Sequence, residues 1–281
     1  MLTLDPKELP VPKLHHYLLG SIGPRPIAFA STVDKEGNRN LAPFSFFNVF
    51  SANPPILIFS PARSGRTNTT KNTHDNVKDV AEVVINVVTY DMVHQMSLTS
   101  SPFEAGVDEF EKARFTPVAS DTIRPYRVKE SPVQIECKVL EVKELGKDGG
   151  AGNLVICEVQ KIHIAEEVLD ENQMVDQQKI DLVSRMGGNW YCRANDASMF
   201  EVDKPITTIG VGVDALPEQI RTSNQLTGNE LGILGNMASL PTDEDIKKAL
   251  AVIDTPSFSL AKDFLAQNKP QQAYAVLLRV L

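Results

Sequence analysis

The residues best suited to chemistry crowd into one stretch, Pro24 to Thr73. Its last part places Arg63, Arg66 and Lys71 among Ser64, Thr67, Thr69, Thr70 and Thr73, with Asn72 between the lysine and the last threonine. Cations and hydroxyls at that density are the donors a phosphate group takes up. Upstream, the pair Ser31–Thr32 closes an apolar run from Ile27 to Val33, and a turn at Asp34 to Asn38 leads into the run Asn40-Leu41-Ala42-Pro43-Phe44-Ser45-Phe46-Phe47-Asn48. The stretch as a whole reads as a cofactor cradle built on two strands and a helix N-terminus. On composition alone, the Arg63–Thr73 cluster reads equally well as a solvated loop. Two of Phe44, Phe46, Phe47 and Phe50 read as plain core, because alternate strand positions face opposite ways.

Other candidates are weaker. His15 and His16 are adjacent, and neighbours in sequence do not share a helix face, so they make a poor metal pair. His74, His94 and His163 have no carboxylate, serine or cysteine at motif spacing, and no nucleophilic triad is indicated. Cys137, Cys157 and Cys192 stand in widely separated segments without a CxxC, which points to buried thiols rather than a zinc site or a disulfide framework. Gly210-Val211-Gly212-Val213-Asp214-Ala215 matches a GxGxxA fingerprint after Ile206–Ile209, but Pro217 and a Thr227-Gly-Asn-Glu-Leu-Gly232 loop follow where a helix and a parallel strand are required, so a turn is expected. Arg185-Met186-Gly187-Gly188 suits either a helix C-cap or a ligand contact.

These residues need elements to position them. Ile27–Val33 and Ile56–Ser60 read as strands, with Gly37 and Asn38 supplying the turn after the first. Lys13–Gly20 reads as a short helical turn, Asn68–Val80 as a helix with Asn72 or Thr73 near its start, Glu82–Tyr90 as a buried strand, and Asp91–Thr99 and Val107–Arg114 as short helices. Pro132–Leu145 and Leu154–Ala165 form two long strands around a Gly-rich hairpin turn; in the first, Val133, Ile135, Cys137 and Val139 alternate with Gln134, Glu136 and Lys138, the period of a half-buried antiparallel sheet. Strands therefore dominate the region before Ala165, which favours an antiparallel barrel over a doubly wound sheet. Helices are marked at Asp243–Ile253, capped by Thr242, at Ser257–Gln267 and at Gln271–Leu281.

Composition narrows the class. A chain of 281 residues with 42% hydrophobic and 23% charged residues is an ordinary globular protein. A net charge of −8 argues against a general nucleic-acid binder. No apolar run approaches the ~20 residues of a membrane span, and the N-terminus lacks the pattern of a secretory signal, so a cytoplasmic protein with no membrane partner is expected.

The run from Pro24 to Asn48, the later Lys71-Asn72-Thr73-x-x-Asn76 segment and Ser184-Arg-Met-Gly-Gly-Asn-Trp-Tyr191 together resemble the flavin reductase-like, FMN-binding split-barrel family, which includes flavoredoxin. The resemblance covers Leu18 to Tyr191; where the family usually reads Lys-Asp-Thr this chain has Asn72. It implies a six-stranded antiparallel split β-barrel with inserted helices over residues 1–193, followed by a mostly helical extension over residues 194–281. It implies a homodimer with FMN near the interface. The candidate FMN contacts are Ser31, Thr32, Asn40, Leu41, Ala42, Pro43, Ser45, Phe46, Phe47, Asn48, Arg63, Ser64, Lys71, Asn72 and Thr73: small residues allow the ring's close approach, and the hydroxyls, amides and cations suit the phosphate. NADH or NADPH is the implied electron donor, with hydride passing to the flavin and on to a second acceptor. Such chemistry calls for no dedicated acid or base, and no metal is expected. The alternatives are a flavoredoxin-like electron carrier served by a redox partner protein, and a non-enzymatic flavin-binding module whose tail binds a partner.

Overall fold

Turn chemistry sets the first hairpin. Strands β1 (Ala28–Val33) and β2 (Arg39–Phe44) pair antiparallel with Thr32 opposite Asn40. The Asp34 carboxylate accepts the Asn38 backbone N–H at 2.8 Å, and Gly37 takes φ +89°, a conformation that costs glycine little. The chain continues through β3 (Phe47–Ala52) and β4 (Pro55–Phe59), and helix α1 (Val11–Ser21) precedes them all. Helix α2 (Asn72–Asp79) follows, then β5 (Glu82–Asn86), α3 (Val93–Leu98) and α4 (Glu109–Ala113). A small pair, β6 (Pro117–Val118) and β7 (Arg127–Val128), leads into the long strands β8 (Val133–Glu144) and β9 (Asn153–Ile164), and β10 (Val183–Arg185) pairs with β11 (Tyr191–Arg193). This computed structural model describes residues 1–104, 106–202 and 204–281.

The main sheet is antiparallel in the order β2-β1-β5-β8-β9-β4-β3. It has seven strands where the family resemblance implied six, and the Asn40–Asn48 run contributes to two of them, β2 and β3. Its edge strands β2 and β3 do not pair with one another, so the barrel is split. Strand β1 is buried along its whole length because both faces are covered. Ala28 and Ala30 face a cluster with Leu57, Phe59, Ile85, Val155 and Val77 of α2, while Ile27 and Phe29 face a second cluster with Met96 of α3 and Phe110 of α4.

Several boundaries differ from the sequence expectation for local reasons. The helix expected from Asn68 begins at Asn72, since Asn68 takes φ +54° and its amide closes a turn on the Ser64 carbonyl. Strand β5 stops at Asn86, whose side chain donates to Phe29 O and accepts from Val128 N. Lys13–Gly20 is part of a full helix, α1.

The chain divides into two compact units, Met1–Phe200 and Glu201–Leu281. The second unit is helical: α5 (Glu218–Arg221), α6 (Gly228–Gly235), α7 (Asp243–Ala251), α8 (Phe258–Ala266) and α9 (Pro270–Val280) close around Ile220, Leu234, Leu265 and Leu277. The stretch expected to be a Thr227–Gly232 loop is instead the start of α6, because Thr227 and Glu230 form a reciprocal capping box. The GxGxxA segment is a turn: Val211 N bonds Met237 O, Gly212 N bonds Gly235 O, and a Cβ on Gly210 would lie 2.6 Å from Gly235 O.

Candidate functional site

The Ser60–Lys71 loop is fastened to the tip of the β8–β9 hairpin. Arg63 N donates to Ala151 O at 2.8 Å, Gly150 N donates to Arg63 O, and Asn153 donates from its backbone to Ser60 Oγ and from Nδ2 to Pro61 O. Glycines permit this approach: a Cβ on Gly152 would sit 2.9 Å from Ser60 Oγ, and one on Gly149 3.0 Å from Ser64 O. Inside the loop, Ser64 Oγ accepts Thr67 N at 3.2 Å, and Arg63 Nε donates to Asn68 Oδ1 at 2.8 Å. Arg63 and Ser64 thus shape the loop, while Arg66 and Lys71 stand exposed on it.

The loop delivers the chain to α2. Lys71 is the N-cap, and among the described residues no side chain caps the first-turn amides, so the positive end of an eight-residue helix is open beside the exposed Lys71. Its position is held from beneath: Asn40 Nδ2 donates to Thr32 Oγ1 at 3.1 Å and to Thr73 Oγ1 at 3.0 Å, and Asn76 Nδ2 donates to Thr32 Oγ1 at 3.1 Å. Thr32, Asn40 and Thr73 are buried, so these three predicted site residues act as a fastener under the helix terminus. Asn72 is half-buried at the first helical position.

The remaining predicted residues separate. Ser31 and Leu41 lie opposite one another on the outer face of the β1–β2 pair, both fully buried. Leu41 N donates to Glu109 Oε2, whose carboxyl is pushed up by burial against the pull of that hydrogen bond, and Ser31 Oγ is buried without a partner. Ala42, Pro43, Ser45 and Phe47 are half-buried; Phe46 and Asn48 are exposed, beside exposed Val49 and Phe50 on edge strand β3. Ser60 N donates to Phe46 O at 2.8 Å, which ties this apolar strip to the cationic loop. Helix α1 borders both parts, with His15 edge-on to the Phe46 ring at 6.4 Å and Val11 against Gly150.

The Arg185–Gly188 motif is not a helix C-cap. It forms the turn of the β10–β11 hairpin, where Met186 N bonds Trp190 O and Gly188 takes φ +57°. Buried Arg25 joins this turn to α1, donating to Met186 O at 3.0 Å and to Leu19 O at 2.9 Å.

Two histidines without a partner at motif spacing lie against a carboxylate in the structure. His74 Nδ1 lies 2.9 Å from Asp75, and His163 Nε2 lies 2.8 Å from Glu136 across the β8–β9 pair. Glu136 occupies a polar position in the strand alternation yet is fully buried. Burial alone would raise its carboxyl, but Thr122 Oγ1, the Asp121 and Thr122 amides and His163 outweigh that and hold it down at about 2. Asp121, Glu136 and His163 are close enough to share a cation, but both Glu136 oxygens already accept two hydrogen bonds each and Asp121 is paired with Lys161 at 2.5 Å. Cys137 and Cys157 are fully buried; burial, with the Glu136 charge adding to it, pushes the Cys137 thiol up to about 12.

Residues 20–181 match the family described as flavin reductase like domain. A relative from Aquifex aeolicus, called an uncharacterized protein, is 37% identical over 67% of this chain and 93% of its own length. Among solved structures, nitrilotriacetate monooxygenase component B from Bacillus cereus is 31% identical with a TM-score of 0.67, over 72% of this chain and 98% of that one. The 2-nitrobenzoate 2-nitroreductase of Pseudomonas fluorescens is 27% identical with a TM-score of 0.64, over 74% of this chain and all of that one (100%). The chain belongs to the flavin reductase-like family.

Proposed function

We propose that the chain is an FMN-dependent oxidoreductase of flavin reductase type, working as a cytoplasmic homodimer. The observation that carries this reading is the open N-terminus of α2, with exposed Lys71 at its cap and exposed Arg66 on the loop that leads into it, a donor set suited to a terminal phosphate. The apolar strip that follows from Ala42 suits the ring: Ala42, Pro43 and Ser45 leave room for a flat group near the backbone, and Phe46 offers an aromatic neighbour. When bound, FMN supplies two-electron chemistry, taking hydride from NADH or NADPH and returning electrons to a second acceptor. The chain's share is to hold and orient. Arg66, Lys71 and the first-turn amides of α2 anchor the phosphate; Arg63, Ser64 and the hairpin tip keep that loop in shape; the Thr32–Asn40–Thr73 fastener keeps the helix terminus aimed. Exposed Val49 and Phe50 on the β3 edge suit the dimer contact, which would exclude water from the strip.

A second reading draws on the helical unit. Glu201–Leu281 lies outside the family match and has its own core, which suits a module that recruits a redox partner protein, as an electron carrier or a flavin-holding module would need. Likeness to a monooxygenase component favours a protein acceptor in the same way. The purified protein is expected to be yellow, with about one FMN per subunit. Anaerobic addition of NADH or NADPH is expected to bleach it, with steady turnover when free FMN is supplied. Bleaching only by a protein donor would support the carrier instead, and a chain that takes up no flavin would remove both.

A further inference from the structure

A cavity of about 390 Å³ opens between α3 and the β10–β11 hairpin, within the first unit. Two stacked pairs form its walls: the Arg193 guanidinium lies 3.7 Å from the Tyr90 ring centroid, and that of Arg185 lies 4.6 Å from the Tyr191 centroid. Val93 and Val183 supply an apolar floor, and His94 and Ser97, three residues apart on α3, present polar groups on one side.

The charges in this cavity are unequal. Arg193 is neutralised by a two-pronged pair with Asp181, at 2.7 and 2.8 Å. Arg185 donates only to the Trp190 carbonyl, at 3.1 Å, and no carboxylate lies against it or lines the cavity among the described residues. Its backbone partner across the strand bridge is Arg25, a second cation, buried and with an Nε–H that has no acceptor. Burial first and the Arg185 charge second depress the Arg25 guanidinium, as expected where positive charge is left uncompensated. An anion is therefore what the site lacks, and its stacked, half-apolar walls favour a flat one.

We propose that this cavity binds a small aromatic carboxylate, with the carboxylate on Arg185 and the ring between the tyrosine–arginine walls and the valines. The arginine fork matches a carboxylate bidentately, which a neutral amide cannot reproduce. This site needs no bound flavin, so its test stands apart from the flavin reading.

Two reporters are available, one beside the site and one in it. Trp190 is the chain's one tryptophan and its backbone carbonyl accepts from Arg185, so intrinsic fluorescence reports on the turn beside the site. Cys192 lines the cavity, whereas Cys137 and Cys157 are buried, so thiol labelling reads it independently. The full chain as isolated would be titrated with benzoate, benzamide and acetate. Saturable binding of benzoate is expected, at least tenfold tighter than benzamide or acetate, with slower iodoacetamide labelling of Cys192 at saturation. Arg185→Gln is expected to lose at least tenfold in benzoate affinity and Arg185→Lys to recover part of it, with melting temperatures recorded to show that both variants fold. Equal binding of benzoate and benzamide, equal binding of acetate, or unchanged benzoate affinity in a folded Arg185→Gln protein would each overturn the proposal.

Discussion

Replacing Glu136 by glutamine probes the most strongly perturbed acid in the barrel. Its two oxygens accept four hydrogen bonds, from the amides of Asp121 and Thr122, from Thr122 Oγ1 and from His163 Nε2. Together these lower the carboxyl from 4.5 to about 2. At 1.36 kcal/mol per unit, that depression corresponds to about 3 kcal/mol of stability at pH 7. The sign follows from the direction: the folded value lies below the unfolded one, so the contribution is complete above about pH 5 and is lost as pH falls towards 2, with roughly 2 kcal/mol gone by pH 3. Glutamine also turns one acceptor into a donor facing the Thr122 amide, which adds a buried mismatch. Urea unfolding of parent and Glu136→Gln at pH 7 and pH 3 reads this directly. The variant is expected to be about 3 kcal/mol less stable at pH 7, with the gap narrowing towards pH 3. Equal stability at pH 7, or a gap that does not change with pH, would show that the Glu136 carboxylate does not stabilise the fold.

Other outcomes follow from the same contacts. Asn40→Ala removes the donor that ties Thr32 to Thr73 and is expected to destabilise the first unit by about 2 kcal/mol, measured by urea unfolding, and to weaken FMN binding with it. Gly152→Ala forces a Cβ to within 2.9 Å of Ser60 Oγ and displaces the loop that Ser60 anchors, so FMN affinity by fluorescence titration is expected to fall about fivefold. Leu277→Ala opens a void in the helical unit and is expected to cost about 3 kcal/mol there; calorimetry would show the transition of Glu201–Leu281 shifting while that of the barrel stays.

What the sequence made legible was local. The alternation of Val133, Cys137 and Val139, the Gly-rich turn before Asn153, the Thr242 cap and the helix expected from Ser257 each depend on neighbours a few residues away, and each appears as a strand, hairpin or helix start in the structure. The same alternation misplaced Glu136, because what buries it is a loop that returns 14 and 15 residues earlier in the chain. The Arg63–Thr73 cluster was visible as composition, but the division of labour within it was not. Arg63 turns inward to Asn68 while Arg66 and Lys71 face solvent, and that depends on Asn68 adopting a left-handed turn. Ser31 and Thr32 read as one hydroxylic pair, yet strand pleating sends them to opposite faces of β1. The Arg185–Gly188 motif was visible as a possible ligand contact, but its cavity was not, since the other wall comes from Tyr90 and α3, about a hundred residues away in the chain.

Phosphate binding at the α2 terminus and the exposed Arg66 and Lys71 is the step on which the proposed function depends. The direct test compares FMN with riboflavin, which lacks that phosphate, on the parent and on a doubly substituted Arg66→Ala/Lys71→Ala chain. Each cation facing a phosphate near the surface contributes about 1 kcal/mol, so the pair accounts for about thirtyfold in affinity. The parent is expected to bind FMN more tightly than riboflavin, and the double substitution to weaken FMN about thirtyfold while leaving riboflavin unchanged. Equal affinity of the parent for both ligands, or an equal loss of both in the variant, would rule out a phosphate site at α2.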